Sequence, residues 1–389
     1  MSWVDVKLGE ICIDKGIQTG PFGSQLHQCD YSEYGVPVVM PVDLVDGGIS
    51  TSRIAHVSEE HVARLSRHKL KEGDIVYARR GDVGRCSRVT AKEVGWLCGT
   101  GCLKLTYKPS KVDPDFLFYA LSNPEVVGWV RNHAVGVTMP NLNTGILESI
   151  PLRIPLSLDE QRSIAEKLRT LDDFIDNSRR QIKLLEEAAQ RLYREWFVDM
   201  RFPGHEDVDF VDGLPEGWAK CRLSDFAEFR RGKVITAKQT KPGTVPVVAG
   251  GLTPAYYHDA SNTVAPVITV SGSGANAGYT ALYGREIWAS DCSFLDSEKT
   301  DYIYFVFLTV KVLGRGFKHL QRGSAQPHVY PSHINELQFI CPSCEALNEF
   351  EMLVESMFKK VRVLEAMIEQ LREARDRLLP MLMSKEDVV

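Results

Sequence analysis

Residues 154–197 read IPLSLDEQRSIAEKLRTLDDFIDNSRRQIKLLEEAAQRLYREWF, with mostly apolar side chains at alternating spacings of four and three. This spacing is the a/d pattern of a coiled-coil helix. Residues 340–383 repeat the pattern at a constant offset of 186 positions. The first seam consists of Ile164, Leu168, Leu171, Ile175, Ser178, Ile182, Leu185, Ala189, Leu192 and Trp196, and the second of Phe350, Val354, Met357, Val361, Leu364, Ile368, Leu371, Arg375, Leu378 and Leu382. The chain therefore carries the same long helix twice.

The limits of both helices can be predicted from capping residues and prolines. The first helix is expected to begin near Asp159, with Ser157 or Asp159 as its cap, and to end around residues 198–203. The second follows Pro342-Ser343 and is expected to stop near Pro380, which lacks the donor that another turn needs. An amphipathic helix of this length, roughly 60 Å, needs a partner in water. Antiparallel pairing within the chain is the simplest solution, and a parallel dimer between two chains is the alternative.

A different globular segment precedes each helix. With 389 residues, the chain exceeds what one hydrophobic core usually supports, and a repeat of this size indicates duplicated domains. The predicted division is a globular domain at 1–153, a helix at 154–200, a linker and second globular domain at 201–339, and a helix at 340–389. The predicted fold class is α+β, with two α/β domains, two long antiparallel coiled-coil helices and a pseudo-twofold internal repeat.

The globular segments share landmarks in the same order. In the first, strands are expected at 36–40, 74–78 and 101–107, and a short helix at 113–121 with Asp113 as its N-cap. The recurring pairs are Trp3–Leu8 with Trp218–Leu223, Val36–Val39 with Val245–Val248, Ile75–Gly84 with Val267–Gly274, and Gly136–Pro140 with Gly323–Pro327. One scaffold that presents two different surfaces is therefore predicted.

Bulk composition excludes several classes of protein. An apolar share of 44% and a charged share of 25% are ordinary for a globular protein, and no run of eighteen apolar residues predicts a membrane helix. The N-terminal residues do not form a signal peptide, and nine irregularly spaced cysteines favour a reducing compartment. The expected location is the cytoplasm, with no membrane partner.

The net charge of −5 conceals local basic clusters. These clusters lie at residues 61–71, 79–92, 220–241 and 311–322. Such stripes are compatible with a surface that follows DNA phosphates, although a solvated charged face is an equally good reading of any one of them.

The sequence contains no recognisable catalytic constellation. The glycine-rich segment Ser271–Gly278 lacks the Lys-Ser/Thr ending of a phosphate-binding loop, so a turn that brings the backbone close to another surface is favoured. Cys341-Pro-Ser-Cys344 has no second pair of ligands with zinc spacing, and the repeat aligns these cysteines with Pro155 and Leu158, so packing is favoured over a metal or redox role. The motif with which amino-methylating enzymes hold a flipped base is also missing. A non-catalytic binding and scaffolding subunit without cofactor or metal is predicted.

The complete layout resembles the specificity subunit of type I restriction–modification enzymes. The similar landmarks are Gly20-Pro-Phe-Gly-Ser24, Arg79-Arg-Gly-Asp-Val-Gly84, Leu152–Gln161 before the first helix, and the order of domain, helix, domain and helix. Cys341–Leu347, the entry to the second helix, departs from the usual Pro-Leu-x-x-Gln form. The resemblance covers essentially the whole chain.

The resemblance implies that each globular segment is a target recognition domain reading one half of a bipartite, asymmetric site in double-stranded DNA. The helices would fix the gap and dock two copies of a methyltransferase subunit, which would bind S-adenosylmethionine and modify adenine. The restriction and translocase subunit is a further candidate partner. A coiled-coil scaffold without a DNA role, and a thiol or methyl-transferring enzyme acting alone, are the alternatives.

Loop position and charge predict the DNA-binding residues of both domains. The candidates are Gly20, Phe22, Ser24, Arg79, Arg80, Arg85, Thr138 and Asn141 in the first domain, and Arg230, Arg231, Lys233, Ser271, Ser273, Arg322, Gln326 and His328 in the second. Arginine and lysine are expected at phosphates, and a few polar side chains at base edges.

Overall fold

The contacts within the chain divide it into two units, as seen in a computed structural model that describes residues 2–46, 48–136, 140–314 and 328–384. Unit 1 comprises Met1–Ser178 with Met367–Val389, and unit 2 comprises Arg179–Ala366. The boundaries predicted from the sequence separate domains from helices, whereas each unit contains one globular segment and parts of both long helices.

Unit 1 contains short strands, short helices and the beginning of a long helix. Its strands are β1 (Trp3–Lys7), β2 (Cys12–Thr19), β3 (Val36–Val39), β4 (Leu44–Val45), β5 (Gly48–Ile49), β6 (Ala55–Val57), β7 (Ile75–Ala78), β8 (Cys86–Arg88), β9 (Leu97–Cys98), β10 (Cys102–Tyr107) and β11 (Pro151–Pro155). The helices that begin in it are α1 (Leu8–Ile11), α2 (Glu59–Arg64), α3 (Pro114–Ser122), α4 (Pro124–His133), α5 (Thr144–Glu148) and α6 (Leu158–Tyr193). A π-helical turn, Arg194–Val198, continues α6 in unit 2.

Unit 2 follows with a similar series. Its strands are β12 (Phe210–Val211), β13 (Leu214–Pro215), β14 (Ala219–Arg222), β15 (Arg230–Arg231), β16 (Val245–Val248), β17 (Tyr256–His258), β18 (Val267–Ser271), β19 (Thr280–Tyr283), β20 (Trp288–Ala289), β21 (Cys292–Asp296) and β22 (Gln338–Cys341). The helices that begin in it are α7 (Leu223–Phe226), α8 (Ile303–Leu313), α9 (Pro331–Asn335) and α10 (Cys344–Met383), and the last of these ends in unit 1.

The two units have the same sheet topology. A central four-stranded sheet has the order β2-β10-β7-β8 in unit 1 and β15-β21-β18-β19 in unit 2, and all neighbours are antiparallel. A second sheet has the order β6-β3-β9 in one unit and β17-β16-β20 in the other, with one parallel pair in each. The pairs β1-β11 and β14-β22 join a strand near the start of each globular segment to the last strand of that segment. The predicted internal repeat is confirmed.

Local signals in the sequence placed the starts of the helices well. The side chain of Asp113 accepts from the backbone N–H groups of Asp115 and Phe116, as expected for the N-cap of α3. Ser157 Oγ lies 3.5 Å from Glu160 N at the start of α6, and Ser343 Oγ lies 3.3 Å from Ala346 N at the start of α10. Side-chain oxygens at these positions satisfy donors that the first helical turn leaves unpaired.

Within each unit, the beginning of one long helix packs with the end of the other. In unit 1, Ile164 and Leu168 of α6 share a core with Leu379 and Met383 of α10 and with Phe116 of α3. Because α6 contributes its first half and α10 its last turns, the pairing in this unit is antiparallel.

Unit 2 contains the complementary halves of the same helices. Tyr193 at the end of α6 packs against Phe350 near the start of α10, with ring centroids 6.2 Å apart, and Phe305 of α8 lies 5.7 Å from Tyr193. Trp196 and Phe197 in the π-helical turn extend this aromatic core. The antiparallel arrangement predicted from the heptads is confirmed, and the parallel dimer is not needed to bury the seams.

The predicted end of the second helix was wrong. Helix α10 continues through Pro380 to Met383, and Ser384 N donates to Pro380 O at 3.0 Å. Proline removes one donor from the helix, but Leu379 and Met383 are buried in the core of unit 1. Burial of these two side chains holds the last turn despite the missing hydrogen bond.

Arg375, the charged residue in the second seam, is at the centre of a polar network in unit 1. Its Nη1 lies 2.9 Å from Asp172 Oδ1 on α6 and 2.9 Å from Asp46 Oδ1. The hydroxyl of Tyr119 donates to Asp172 Oδ2 at 2.7 Å. Burial alone would lower the pKa of Arg375, but the two acids raise it above its ordinary value, so the guanidinium stays charged.

Replacement of Arg375 should destabilise the protein much more than replacement of an exposed arginine of the same helix. Arg375→Ala leaves Asp172 largely buried without its cation, and we expect a loss of about 2–3 kcal/mol in the free energy of unfolding. Arg377 pairs with Glu373 at 2.5 Å but its side chain is 77% exposed, so Arg377→Ala should cost under about 0.5 kcal/mol. Urea unfolding measures both values, and equal losses would show that the network contributes no more than a surface ion pair.

A buried carboxylate of α10 caps the start of α8 in unit 2. Glu351 accepts hydrogen bonds from Tyr304 N at 2.8 Å and from Phe305 N at 2.9 Å. Burial raises the pKa of Glu351 from 4.5 to about 7, although the two backbone donors act in the opposite direction. The contact therefore titrates near neutral pH.

Glu351 should make the stability of the protein depend on pH between 4.5 and 7. Because its folded pKa lies above the unfolded value, its stabilising contribution is complete below pH 4.5 and is lost as the pH rises through 7. Glu351→Gln removes this titration. Between these pH values, the free energy of unfolding should therefore fall less steeply in the variant than in the unmodified protein, and the two slopes should differ by up to about 1.4 kcal/mol per pH unit. Parallel slopes for the two proteins in urea unfolding at a series of pH values would contradict this assignment.

Candidate nucleic-acid interface

In unit 1, three chain segments meet at one edge of the central sheet. Strand β2 ends at this edge and β10 begins there, since Thr19 pairs with Leu103. Strand β7 ends there as well, since Ala78 pairs with Cys102. The residues that follow β2 and β7 therefore leave from the same side, and residues 140–142 close against them. We call residues 20–24, 79–85 and 140–142 the loop edge of unit 1.

Arg79 ties the third of these segments to the second. Its Nε donates to Asn141 Oδ1 at 3.1 Å and to Leu142 O at 3.0 Å, while Leu142 N donates to Arg79 O at 2.9 Å. Arg80 forms a backbone bridge with Asn141 and is exposed. Burial lowers the pKa of the Arg79 guanidinium, and the charge of Arg80 lowers it further. Arg79 and Arg80 thus present two adjacent guanidinium groups at this edge, and the contacts of Arg79 hold it in place.

The segment after β2 approaches the sheet backbone closely. Gly20 N donates to Cys102 O at 2.9 Å, and a Cβ at Gly20 would lie 2.0 Å from Gly99 O. No side chain fits in this space, so only glycine allows the approach. Phe22 is 56% exposed and Ser24 is also exposed, so the segment faces solvent from Phe22 onward.

Arg85 is engaged within unit 1. It donates to Asp82 Oδ2 at 2.6 Å and to Leu44 O at 3.0 Å, and Asp82 also accepts from Arg131 at 3.2 Å. About half of the Arg85 side chain remains exposed. Asp82 is the acid that the sequence shows within the basic cluster at 79–92, but the sequence does not show that it pairs with both Arg85 and Arg131.

The loop edge of unit 2 has the same backbone framework, and we define it as residues 231–233, 271–274, 290–292 and 328–330. Gly232 N donates to Cys292 O at 2.8 Å, and a Cβ at Gly232 would lie 2.2 Å from Ser290 O. Val329 N donates to the carbonyl of Gly272 at 2.9 Å. Gly232 therefore corresponds to Gly20, a match that the sequence did not suggest because the flanking residues differ.

The side chains on this second edge are different. Arg231 pairs with Asp291, and Ser273 Oγ lies 3.3 Å from Asp291 Oδ2. Lys233 is exposed, and His328 stacks on Tyr330 with ring centroids 5.8 Å apart. Asp291 was missed in the sequence, and the structure places it directly before β21.

Two other predicted residues of unit 2 have internal partners. Arg230 lies 3.5 Å from the buried carboxylate of Asp296 and over the ring of Phe294, 5.0 Å from its centroid. Ser271 is buried and donates to Gly250 O at 3.0 Å, so its hydroxyl faces the interior of the unit. The predicted residues Thr138, Arg322 and Gln326 lie outside the described residues, as does most of the basic cluster at 311–322.

The two enzyme-like motifs have ordinary surroundings. The segment Ser271–Gly278 passes through a short 3-10 turn into β19, whereas a nucleotide cradle would continue into a helix. Cys341 and Cys344 are free thiols, and burial together with the adjacent Cys221 raises the pKa of Cys341 to about 11. No cluster of three metal-ligating side chains and no helix long and apolar enough to cross a membrane is found among the described residues.

Comparison with known proteins agrees with this architecture. A family model described as the type I restriction modification DNA specificity domain matches residues 1–187 and 215–353. The type I restriction enzyme MjaIX specificity subunit of Methanocaldococcus jannaschii is 23% identical over 378 residues, covering 90% of this chain and 86% of that protein. The type I restriction enzyme HindI specificity subunit of Haemophilus influenzae is 27% identical over 203 residues, covering 50% and 44%, respectively.

A solved structure shares the fold. The crystal structure of the type I restriction-modification system S subunit from M. genitalium aligns with a TM-score of 0.60 at 17% sequence identity. The alignment covers 99% of this chain and 97% of that chain.

The close backbone approaches can be tested with a matched glycine. Gly20→Ala and Gly232→Ala place a methyl group against a carbonyl oxygen, and we expect each to lower the free energy of unfolding by about 1–3 kcal/mol. A Cβ at Gly128 in α4 meets nothing within 4 Å, so Gly128→Ala should stabilise the protein by about 0.5–1 kcal/mol. If all three variants show the same change in urea unfolding, the framework does not depend on these contacts.

Proposed function

The chain belongs to the type I restriction–modification DNA specificity family, and we propose that each unit reads one half of a bipartite, asymmetric DNA target. The observation that carries the proposal is the repeated loop edge. Both units build it from the same strand ends and the same close glycine contact, but they place different side chains on it. One scaffold with two surfaces suits a protein that reads two different half-sites.

The charges on the two edges suit contact with a duplex. Exposed Arg80 and Lys233 can reach phosphates, which fix the position of a protein on DNA without reading its sequence. Asn141 and His328 occupy corresponding bridge positions, and polar side chains of this kind can bond base edges in the major groove. The proposed contacts comprise Gly20, Phe22, Ser24, Arg79, Arg80, Arg85, Thr138 and Asn141 for one half-site, and Arg230, Arg231, Lys233, Ser273, Arg322, Gln326 and His328 for the other. Ser271 is not among them, because its hydroxyl faces the interior of unit 2.

The long helices are proposed to fix the gap between the half-sites and to dock two copies of a methyltransferase subunit. Both leave apolar side chains exposed after their seams are buried, with Phe174 and Leu184 on α6 and Met352 and Val363 on α10 between 48% and 66% exposed. Exposed apolar side chains on long helices offer area for a partner. The methyltransferase would bind S-adenosylmethionine and carry out adenine methylation, so this chain would act without catalysis. A restriction and translocase subunit would be a further partner.

The decisive experiment maps methylated adenines in the host genome and then measures binding to the motif found. A two-part, asymmetric motif that disappears when this gene is deleted is expected. The purified complex of chain and methyltransferase should then bind a duplex with that motif more tightly than a scrambled duplex. A scaffold without a DNA role would retard neither duplex, and an enzyme acting alone would bind S-adenosylmethionine as the isolated chain.

Loss of one guanidinium from either edge should weaken DNA binding. Arg79→Ala and Arg231→Ala each remove a cation, so we expect weaker binding of the target duplex and, if the contact is to phosphate, a salt slope smaller by about 1. Lys108 and Lys299 provide controls because they follow the ends of strands β10 and β21, whereas the loop edges lie at the beginnings of these strands. Lys108→Ala and Lys299→Ala should change neither quantity.

Fluorescence anisotropy at a series of salt concentrations gives the affinity and the slope together. If the arginine variants keep both values of the unmodified complex, these residues are not DNA contacts. If the lysine variants lose as much as the arginine variants, general charge rather than the loop edge is responsible.

A further inference from the structure

Arg79 in unit 1 corresponds to Gly272 in unit 2. Each residue directly follows the central strand of its sheet, β7 or β18. The carbonyl of Arg79 accepts from Leu142 N, and that of Gly272 accepts from Val329 N, both at 2.9 Å. In unit 1 this position supplies the guanidinium of Arg79, whereas in unit 2 it is glycine and supplies no side chain.

A guanidinium from another strand occupies that space in unit 2. A Cβ added to Gly272 would lie 3.0 Å from Arg231 Nη1 and 3.5 Å from Val329 O. Arg231 is the last residue of β15, and strand β21 lies between β15 and β18. Its side chain therefore reaches across β21 to the residue that follows β18. In unit 1, Arg79 Nε is 3.0 Å from the corresponding carbonyl of Leu142. Each edge thus holds one guanidinium beside the residue that follows β7 or β18, and glycine at 272 leaves room for the side chain of Arg231.

The two guanidinium groups differ in their partners. Arg79 bonds the neutral amide of Asn141, whereas Arg231 forms an ion pair with Asp291. The side chains of Arg231 and Asp291 are 41% and 39% exposed, so the pair lies at the surface where a duplex would bind. Ser273 also contacts the carboxylate, at 3.3 Å. A carboxylate at this place repels phosphate, but it can accept from the amino group of cytosine.

We propose that Asp291 is a specificity-determining residue of unit 2, an inference that rests on the proposed DNA-reading function. On a non-cognate duplex, its carboxylate repels the backbone and keeps Arg231 in the ion pair. On the cognate half-site, base edges bond both Arg231 and Asp291. The ion pair between them can then open, because each charged side chain gains a new partner on the DNA. Asp291 therefore lowers affinity for non-cognate DNA more than affinity for the target.

The test uses the complete chain bound to its methyltransferase, with the duplex that carries the genomic methylation motif and a scrambled duplex of equal length. In Asp291→Asn, we expect affinity for the scrambled duplex to rise about three- to fivefold while affinity for the target does not rise. Asp291 directly precedes β21, whereas Glu298 follows it. Glu298→Gln therefore removes an equal charge far from the loop edge and should leave the ratio of the two affinities unchanged. In an Arg231→Ala background, Asp291→Asn should change the ratio much less, because the pair is already broken.

Several results would overturn the inference. If Asp291→Asn and Glu298→Gln raise both affinities by the same factor, Asp291 acts only through net charge, and the proposed function stands. If the unmodified complex fails to distinguish the two duplexes, the proposed function itself fails.

A second variant covers the case in which Asp291→Asn does not fold. Asp291→Ser also removes the carboxylate that pairs with Arg231 and should lower the ratio of target to scrambled affinity in the same way. A ratio that stays constant in this variant, with normal unfolding behaviour, contradicts the inference.

Discussion

The burial of opposite helix ends against each other is the constraint on which the rest of the structure depends. In unit 1 the start of α6 needs the last turns of α10, and in unit 2 the end of α6 needs the start of α10. Neither long helix can bury its seam alone, so each globular segment is completed by residues distant in sequence. Strand pairs β1-β11 and β14-β22 then fix the two ends of each segment beside a helix. Between those anchor points, the loops can differ without disturbing the framework.

The seams of the two units are alike in pattern but differ in chemistry at one level. Asp172 and Arg375 form an ion pair in unit 1, and the positions related to them by the repeat are Phe358 and Ala189 in unit 2. Phe358 stacks on Tyr304 with centroids 5.2 Å apart. Two nearly identical heptad patterns could otherwise pair in more than one way. A polar contact possible in only one arrangement favours that arrangement, as polar seam residues do in coiled coils.

Features encoded by local spacing were predictable from the sequence, and those that depend on strand register were not. The heptads, the caps at Asp113 and Ser157 and the repeated strands all follow from residues close together in the chain. The end of α10 was predicted wrongly because the missing donor of Pro380 is local, whereas the burial of Leu379 and Met383 that outweighs it comes from unit 1. The Arg231–Asp291 pair joins residues sixty positions apart, and no spacing rule connects them.

The loop edges show why a recognition surface is hard to read from aligned sequences. Glycine at 20 and 232 keeps the same backbone contact in both units, so the framework is fixed by the few positions where no side chain fits. A guanidinium beside the residue that follows β7 or β18 is also common to both, yet Arg79 and Arg231 come from different strands. Both units thus place a positive charge near the same backbone position. An alignment of equivalent residues would nevertheless show Arg79 opposite Gly272. In the proposed function, recognition would depend on which strand supplies the charge and on the partner that restrains it, because these two choices would decide which contacts DNA must replace.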